Sequence, residues 1–433
     1  VAEDIKWVMN EYKTNSVHSG AFVTVDSVET PDKYTVVVNF TQPSFWFLPT
    51  MSIKDQPIFN PHLFKADRQN DEAVGPGPFM LEKAIKSVKV ELKANPNYYF
   101  KDEQGGQLPY MDGVTFLVVT DASTRVALVR TRRVESAYSP LDGTLATAQA
   151  LLRTNPDITL QAIESTALTS VTFQQNDPMW GGEAGQVARH AVSLAVDTRG
   201  IGDVMFAGLT APLPVRVNYY YFMDHQPTWD ELDELREEWY GPNLWAYDPV
   251  KAKELWDSTG YGDITETIEY YAYNTNLSDG LGQYISDMQK NLGWDIKLNS
   301  QDYSAFNGPL AAGTHKGIFW EWAASFPELG GQVYQRWHKN GSVNRENLND
   351  PIINEAAEAM LVATSEAEMV SLAKTAMLRY GEMAYGFEAQ LSPALQVGGY
   401  PLQPWVKNFR YGTYSGGYYY YGQALAITWL DDH

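Results

Sequence analysis

The stretch from Val74 to Arg130 constrains the fold most, because its residues dictate turn, strand, turn, strand and helix in that order. Pro76 and Pro78 lack amide donors and flank Gly77, which makes a rigid entry into a strand and excludes a helix there. Val88, Val90 and Leu92 alternate with Lys89 and Glu91, the period of a strand with one buried face. Asn95, Pro96 and Asn97 close that strand as a turn. Val114 to Val119 is almost wholly apolar and predicts a strand covered on both sides. Asp121 or Ser123 then caps a helix expected over 124–134.

Further along, the period switches between two and about 3.6. Tyr34, Val36, Val38 and Phe40 share one strand face, which Gln42 and Pro43 close. Val171 to Phe173 reads as a short strand, and the polar, Pro- and Gly-bearing connector to Gly182 suits a crossing between lobes. Asp248 as N-cap, Pro249 at the first helical position and Gly260 beyond the end predict a helix over 249–259. Ile264, Ile268, Tyr270 and Ala272 suggest a strand, Leu281, Tyr284, Ile285, Met288 and Leu292 a helix, and Trp294, Ile296 and Leu298 a second strand. Such a β-α-β unit builds an open, largely parallel sheet. Ile353, Ala356, Ala357, Met360 and Leu361 mark one more helix, and Ser365 with Glu368 has the capping-box spacing for the next.

Composition removes several functional classes. With 53 acidic against 32 basic residues and a net charge of −21, the chain disfavours a nucleic-acid partner or an anionic membrane face. It has no apolar run of about 18 residues that would span a membrane, and no cysteine for disulfides or thiolate chemistry. GxSxG, HExxH, GxxxxGK[ST] and GxGxxG are all absent, and the seven histidines form no i, i+4 pair. The acidic patch from Asp230 to Glu238 lacks calcium-loop spacing and reads as a solvated helix face. We therefore expect no cofactor and no metal. A paired-carboxylate hydrolase stays open, since sequence does not set the separation of its acids.

Val74 to Arg130 with its DASTR, Ala2-Glu3-Asp4 before a helix, PDKYTVVVNFTQP at 31–43, ARHAVSLAVDTRGIGDVMFAG at 188–208 and YDPVKAKELWDSTGY at 247–261 together resemble, in order, the dipeptide- and oligopeptide-binding proteins of ABC importers, extracellular solute-binding family 5. The resemblance implies an α/β fold of the periplasmic-binding-protein type II kind, with two main lobes joined by hinge strands plus an accessory lobe. On that expectation residues 1–73 are the remainder of the accessory lobe, 74–172 the main part of the first lobe, 173–392 the second lobe, and 393–433 the return to the first. Family members carry a longer stretch before the Ala-Glu-Asp helix, so the resemblance implies that an N-terminal part, where a signal peptide or lipid anchor would sit, is absent here.

The same resemblance directs attention to the aromatics, which make up 13% of the chain and present rigid apolar faces with little entropy to lose. Core packing is the ordinary fate of such a ring, but Trp180, Trp320 and Trp322 fall in segments that would line a cleft. Glu321, Ser325 and Phe326 accompany them, and Ser325 stands where peptide-binding relatives carry the aspartate that pairs with the ligand's α-amino group. A neutral hydroxyl cannot compensate an ammonium in a dry cleft. Gln174, Gln175 and Asn176 match residues that reach the ligand from the hinge strand, and all are neutral hydrogen bonders. The implied function is an extracytoplasmic, monomeric, non-enzymatic receptor that delivers a neutral oligosaccharide or similar solute to an ABC transporter permease. A peptide ligand is the alternative. A secreted carbohydrate-active hydrolase and a structural surface protein are the readings of other classes.

Overall fold

The computed structural model describes residues 1–16, 19–44, 47–51, 61–62, 75–137, 145–161, 167–201, 231, 234, 247–271, 275–324, 329–388, 400–409 and 425–431. Ser325, Phe326, the four tyrosines at 418–421 and, apart from Glu231 and Glu234, the acidic stretch at 230–238 lie outside these residues.

Helix α1 (Ala2–Asn15) is followed by an antiparallel pair, β1 (Val25–Glu29) and β2 (Val37–Phe40). The second strand starts later than its alternation suggests, because the Asp32 carboxylate accepts the N–H groups of Tyr34 and Thr35 and holds them in a turn. An antiparallel sheet of β3 (Phe79–Ile85), β4 (Lys89–Ala94) and β5 (Gly113–Leu117) comes next. The Asn-Pro-Asn turn after β4 forms as expected: Asn95 donates to the Gly77 carbonyl and accepts from the Asn97 N–H. Strand β5 departs from expectation. It is an edge strand whose residues alternate between exposed and half-buried, with Leu117 50% exposed, so it is not covered on both sides. Helix α2 (Ala122–Arg130) is capped by Asp121, which accepts from the Thr124 N–H. It ends short of 134 because Arg132 takes a left-handed backbone, φ 57°.

After α3 (Leu145–Thr154) and β6 (Thr159–Gln161) comes β7 (Ala167–Phe173), and then α4 (Gln186–Ala195) and α5 (Pro249–Ser258). Both end signals of α5 hold: Asp248 accepts from the Lys251 N–H at 2.9 Å, and Gly260 has φ 74°. The expected β-α-β unit is β8 (Thr265–Tyr271), α6 (Thr275–Leu292) and β9 (Asp295–Gln301), with the two strands parallel. Helix α7 (Tyr303–Ala311), β10 (Ile318–Ala324), helices α8 (Leu329–Trp337), α9 (Pro351–Met360) and α10 (Glu366–Glu382), β11 (Gly386–Glu388) and β12 (Tyr400–Leu402) complete the frame. Ser365 caps α10 through the Glu368 N–H, and Glu368 answers by accepting from the Thr364 N–H.

Five strands form one sheet in the order β11-β7-β10-β8-β9. Strands β9, β8, β10 and β11 run one way and β7 runs against them. A large part of the core is packed with this sheet: Phe173, Val192, Trp256, Ile268, Met288 and Trp294 are buried together from strands and helices. Strand β6 pairs with β12, while β7, which follows β6, pairs with β11, which precedes β12. The chain therefore passes twice between the five-stranded sheet and the β6–β12 pair. The first passage lies before Ala167, upstream of the expected boundary, because β7 is already paired with β10 along its whole length from Ala167 to Phe173.

The opening segment differs most from expectation. Val8, Met9, Phe22, Val25 and Phe47 are buried in one cluster with Val333, Trp337, Ile353, Met360 and Met377 of α8, α9 and α10. Among the described residues, the first 51 share a core with those helices and are not a separate lobe.

Candidate functional site

In an open sheet with parallel strands, ligands bind outside the carboxyl ends, where connections leave in opposite directions. Here those ends are Tyr271 of β8, Gln301 of β9, Ala324 of β10 and Glu388 of β11. From β8 the chain goes through α6 to β9 on one side, and from β10 it goes through α8, α9 and α10 to β11 on the other. The switch point thus lies between β8 and β10. The antiparallel β7 begins at the same edge, since Ala167 pairs with Ala324. Both passages to the β6–β12 pair start or end at this edge.

Register places the candidate residues. Trp320 lies opposite Val171, Glu321 opposite Ser170 and Trp322 opposite Thr169, so Trp322 is near the carboxyl end of β10. Ser325 and Phe326 follow Ala324 in the chain but lie outside the described residues. Gln174, Gln175 and Asn176 are at the other end, beyond the Phe173–Ile318 pair, with the Gln174 N–H donating to the Gly317 carbonyl at 3.0 Å. From Ala167 to Phe173 is six residue steps, roughly 20 Å of strand. The structure therefore does not bring the two halves of the expected site together.

At that far end the glutamines serve the fold. The buried Gln174 amide donates to the carbonyls of Gly313 and His315, and its oxygen accepts from Asn347 Nδ2 at 2.8 Å and from the Asn176 N–H. It ties three connectors into one knot and has little capacity left for a ligand. Gln175 Nε2 donates to the Phe173 carbonyl, and its Oε1 accepts from the Gly182 N–H. Asn176 is exposed. Trp180 is a core residue: at 1% exposure it lies 5.0 Å from the Phe173 ring, 5.9 Å from Trp294 and 6.2 Å from Trp256. A ring packed on those sides has no face for a cleft, and the expected ligand contact is corrected accordingly.

Glu266, unremarked in the sequence, occupies the same far end. Its half-buried carboxylate accepts from the Ile318 N–H and lies against Gly317, where an added Cβ would fall 2.3 Å from Oε1. Burial, aided by the Asp177 charge, pushes its pKa up to about 7. The folded state then holds a proton that the unfolded state, at about 4.5, releases, so stability falls as pH rises through 4.5–7 and is level above. Glu266→Gln keeps an acceptor for Ile318 without the charge. It is expected to raise stability at pH 8 by on the order of 1–2 kcal/mol, with the gain vanishing towards pH 5. Thermal unfolding of both proteins at pH 5 and 8 measures it, and a gain equal at both values would refute the buried charge as its cause.

What sequence reasoning missed is the edge itself. The strand expected from Ile264, Ile268, Tyr270 and Ala272 and the helix expected from Leu281 to Leu292 follow one another in the sequence, yet only topology shows which strand lies beside the first. Among the described residues no group of three His, Cys, Asp or Glu side chains is placed to hold a metal, and no helix is long and apolar enough to cross a membrane.

Comparison with known proteins agrees with this architecture. The family model for bacterial extracellular solute-binding proteins, family 5, matches residues 1–344. The glutathione-binding protein GsiB of Salmonella paratyphi A is 24% identical over 282 residues, 64% of this chain and 49% of its own length. A Brucella ovis protein named as an ABC transporter peptide-binding protein is 26% identical over 308 residues, 68% of this chain and 52% of its own. The chain thus spans about half the length of these curated relatives. Among solved structures, the binding protein AgaA with agropinic acid from A. tumefacien R10 superposes with a TM-score of 0.81 at 17% identity, covering 100% of this chain and 84% of that one. DppA from Helicobacter pylori with the peptide STSA gives 0.78 at 17% identity, covering 99% and 81%.

Proposed function

The chain belongs to the bacterial extracellular solute-binding proteins of family 5, and on that premise we propose that it is a receptor that closes on a solute outside the cytoplasm and presents it to an ABC import permease. The observation that carries the reading is the pairing of β6 with β12 and of β7 with β11, which links two sheets by two passages at the carboxyl edge of the larger. A ligand bound there that touches both sides favours the closed form by its differential affinity for it. The role needs no bond-making group, and the receptor acts as a monomer without catalysis.

The ligand we propose is neutral and rich in hydroxyls, an oligosaccharide or similar solute, held from β10 by Trp320 and Trp322 and beyond it by Ser325 and Phe326, with Glu321 beside them. The serine supports this choice, because it leaves the cleft without the aspartate that would pair an ammonium. A peptide is the second reading, favoured by the names of the relatives from Salmonella and Brucella and by the peptide bound to DppA.

Small-angle scattering with separate oligosaccharide and di- to pentapeptide mixtures tests both parts. The oligosaccharides are expected to reduce the radius of gyration, and Trp322→Ala to weaken their binding by about 2 kcal/mol in calorimetry with folding intact. Compaction with peptides alone would transfer the ligand to the second reading. No compaction with any bound solute would end the closure mechanism.

A further inference from the structure

Arg189 on α4 is fully buried, yet its guanidinium is held by carbonyl oxygens and a ring. Nε and Nη2 both donate to the Met383 carbonyl, at 2.9 and 2.7 Å, and Nη1 donates to the Trp180 carbonyl. Trp180 lies in the connector that leaves β7, and Met383 lies in the turn that enters β11. One cation therefore ties the connector that leaves β7 to the turn that enters β11, the two strands that lead to the lobe passages. Burial lowers its pKa to about 10, so it stays charged at neutral pH.

The turn into β11 is fixed from several sides. Ala384 has φ 48°, a left-handed backbone that a residue with a Cβ adopts at a cost. The Tyr385 ring lies 4.8 Å from the Arg189 guanidinium, and its hydroxyl donates to Asp350 Oδ2 at 2.8 Å. Asp350 also accepts from Arg379 Nε at 2.8 Å and caps α9 through the N–H groups of Ile352 and Ile353. At Gly386 an added Cβ would meet the Tyr380 hydroxyl at 2.6 Å and the Val171 carbonyl at 3.0 Å. A strand gripped at its base in this way is held against β7 from Gly386 to Glu388.

We propose that Arg189 and Tyr385 are positioning residues for lobe closure: by clasping the bases of β7 and β11 together they fix the pivot, and with it the spacing of the lobes before ligand arrives. Neither residue is at the carboxyl edge, so neither touches the solute. The inference rests on the two-lobe reading but not on the identity of the ligand.

The absence of native cysteines makes a direct test simple. Lys83→Cys on β3 and Glu254→Cys on α5, both exposed, accept a donor and an acceptor dye that report lobe separation without ligand. In that background Tyr385→Phe removes only the hydroxyl bond to Asp350. It is expected to broaden the ligand-free distance distribution and to speed release of a solute that compacts the wild type about ten-fold. Arg189→Lys keeps the charge but loses the paired bonds to Met383, and should act in the same direction and more strongly. An unchanged distribution in a folded Tyr385→Phe protein, whatever its melting temperature, would reduce the clasp to a stabilising contact and overturn the proposal. If no solute closes even the wild type, the receptor reading fails by itself, and the ligand-free distributions still decide on the clasp.

Discussion

Asp350→Ala is expected to cost about 3–5 kcal/mol of stability, because one buried carboxylate serves three structures at once. One oxygen accepts the Ile352 and Ile353 N–H groups at the start of α9; the other accepts from Arg379 Nε and the Tyr385 hydroxyl. Alanine would leave two orphan amides at a helix end, a cap loss of about 1 kcal/mol, and would strand a largely buried guanidinium with its best partner gone. Arg379 keeps Glu382 and Glu183, both more exposed, and they recover only part of the loss. Asp350→Asn, with an acceptor still facing the amides, should lose distinctly less. Denaturant titration of the three proteins checks the order, and a cost below 1 kcal/mol for alanine would show that the network is idle.

The second large effect is Trp180→Ala, for which we expect a loss of about 3–5 kcal/mol, as for other large-to-small changes at buried aromatics. Phe173, Trp256 and Trp294 surround the ring and cannot all collapse into the space it leaves. Ligand affinity of the folded variant should stay within about two-fold of wild type, since the ring is in the core. Lost affinity at unchanged stability would return Trp180 to the cleft.

The contrast between these residues and the expected ones shows where the sequence was legible. Local chemistry was: Asp248 with Pro249 and Gly260, Asp121, and Ser365 with Glu368 each act through neighbours a few residues away. Degree of burial was less so. The apolar run at 114–119 resembles a strand covered on both faces, yet in the three-stranded sheet it is an edge, and periodicity does not report neighbours. The family resemblance aligned Gln174 and Ser325 with ligand-contacting positions, but alignment carries no register. Only the antiparallel pairing of β7 with β10 shows that Gln174 and Trp322 are at different ends of the sheet. Arg189 and Asp350 carried no motif, because their partners lie on carbonyls and side chains remote in sequence.

The core that joins the first 51 residues to α8, α9 and α10 also sets an order of assembly. The Gly20 N–H reaches the Ser342 hydroxyl across 322 positions of chain. Synthesis at about 5–20 residues per second separates those two partners by roughly 15–60 s. Throughout that interval α1 and the first strand pair have only each other to pack against and lack the helices that cover the rest of their apolar side, and closing so long a loop slows the final step further. This segment therefore stays incomplete on the nascent chain until α8 to α10 have been made, and a break between it and α10 would leave it without the surface that completes it.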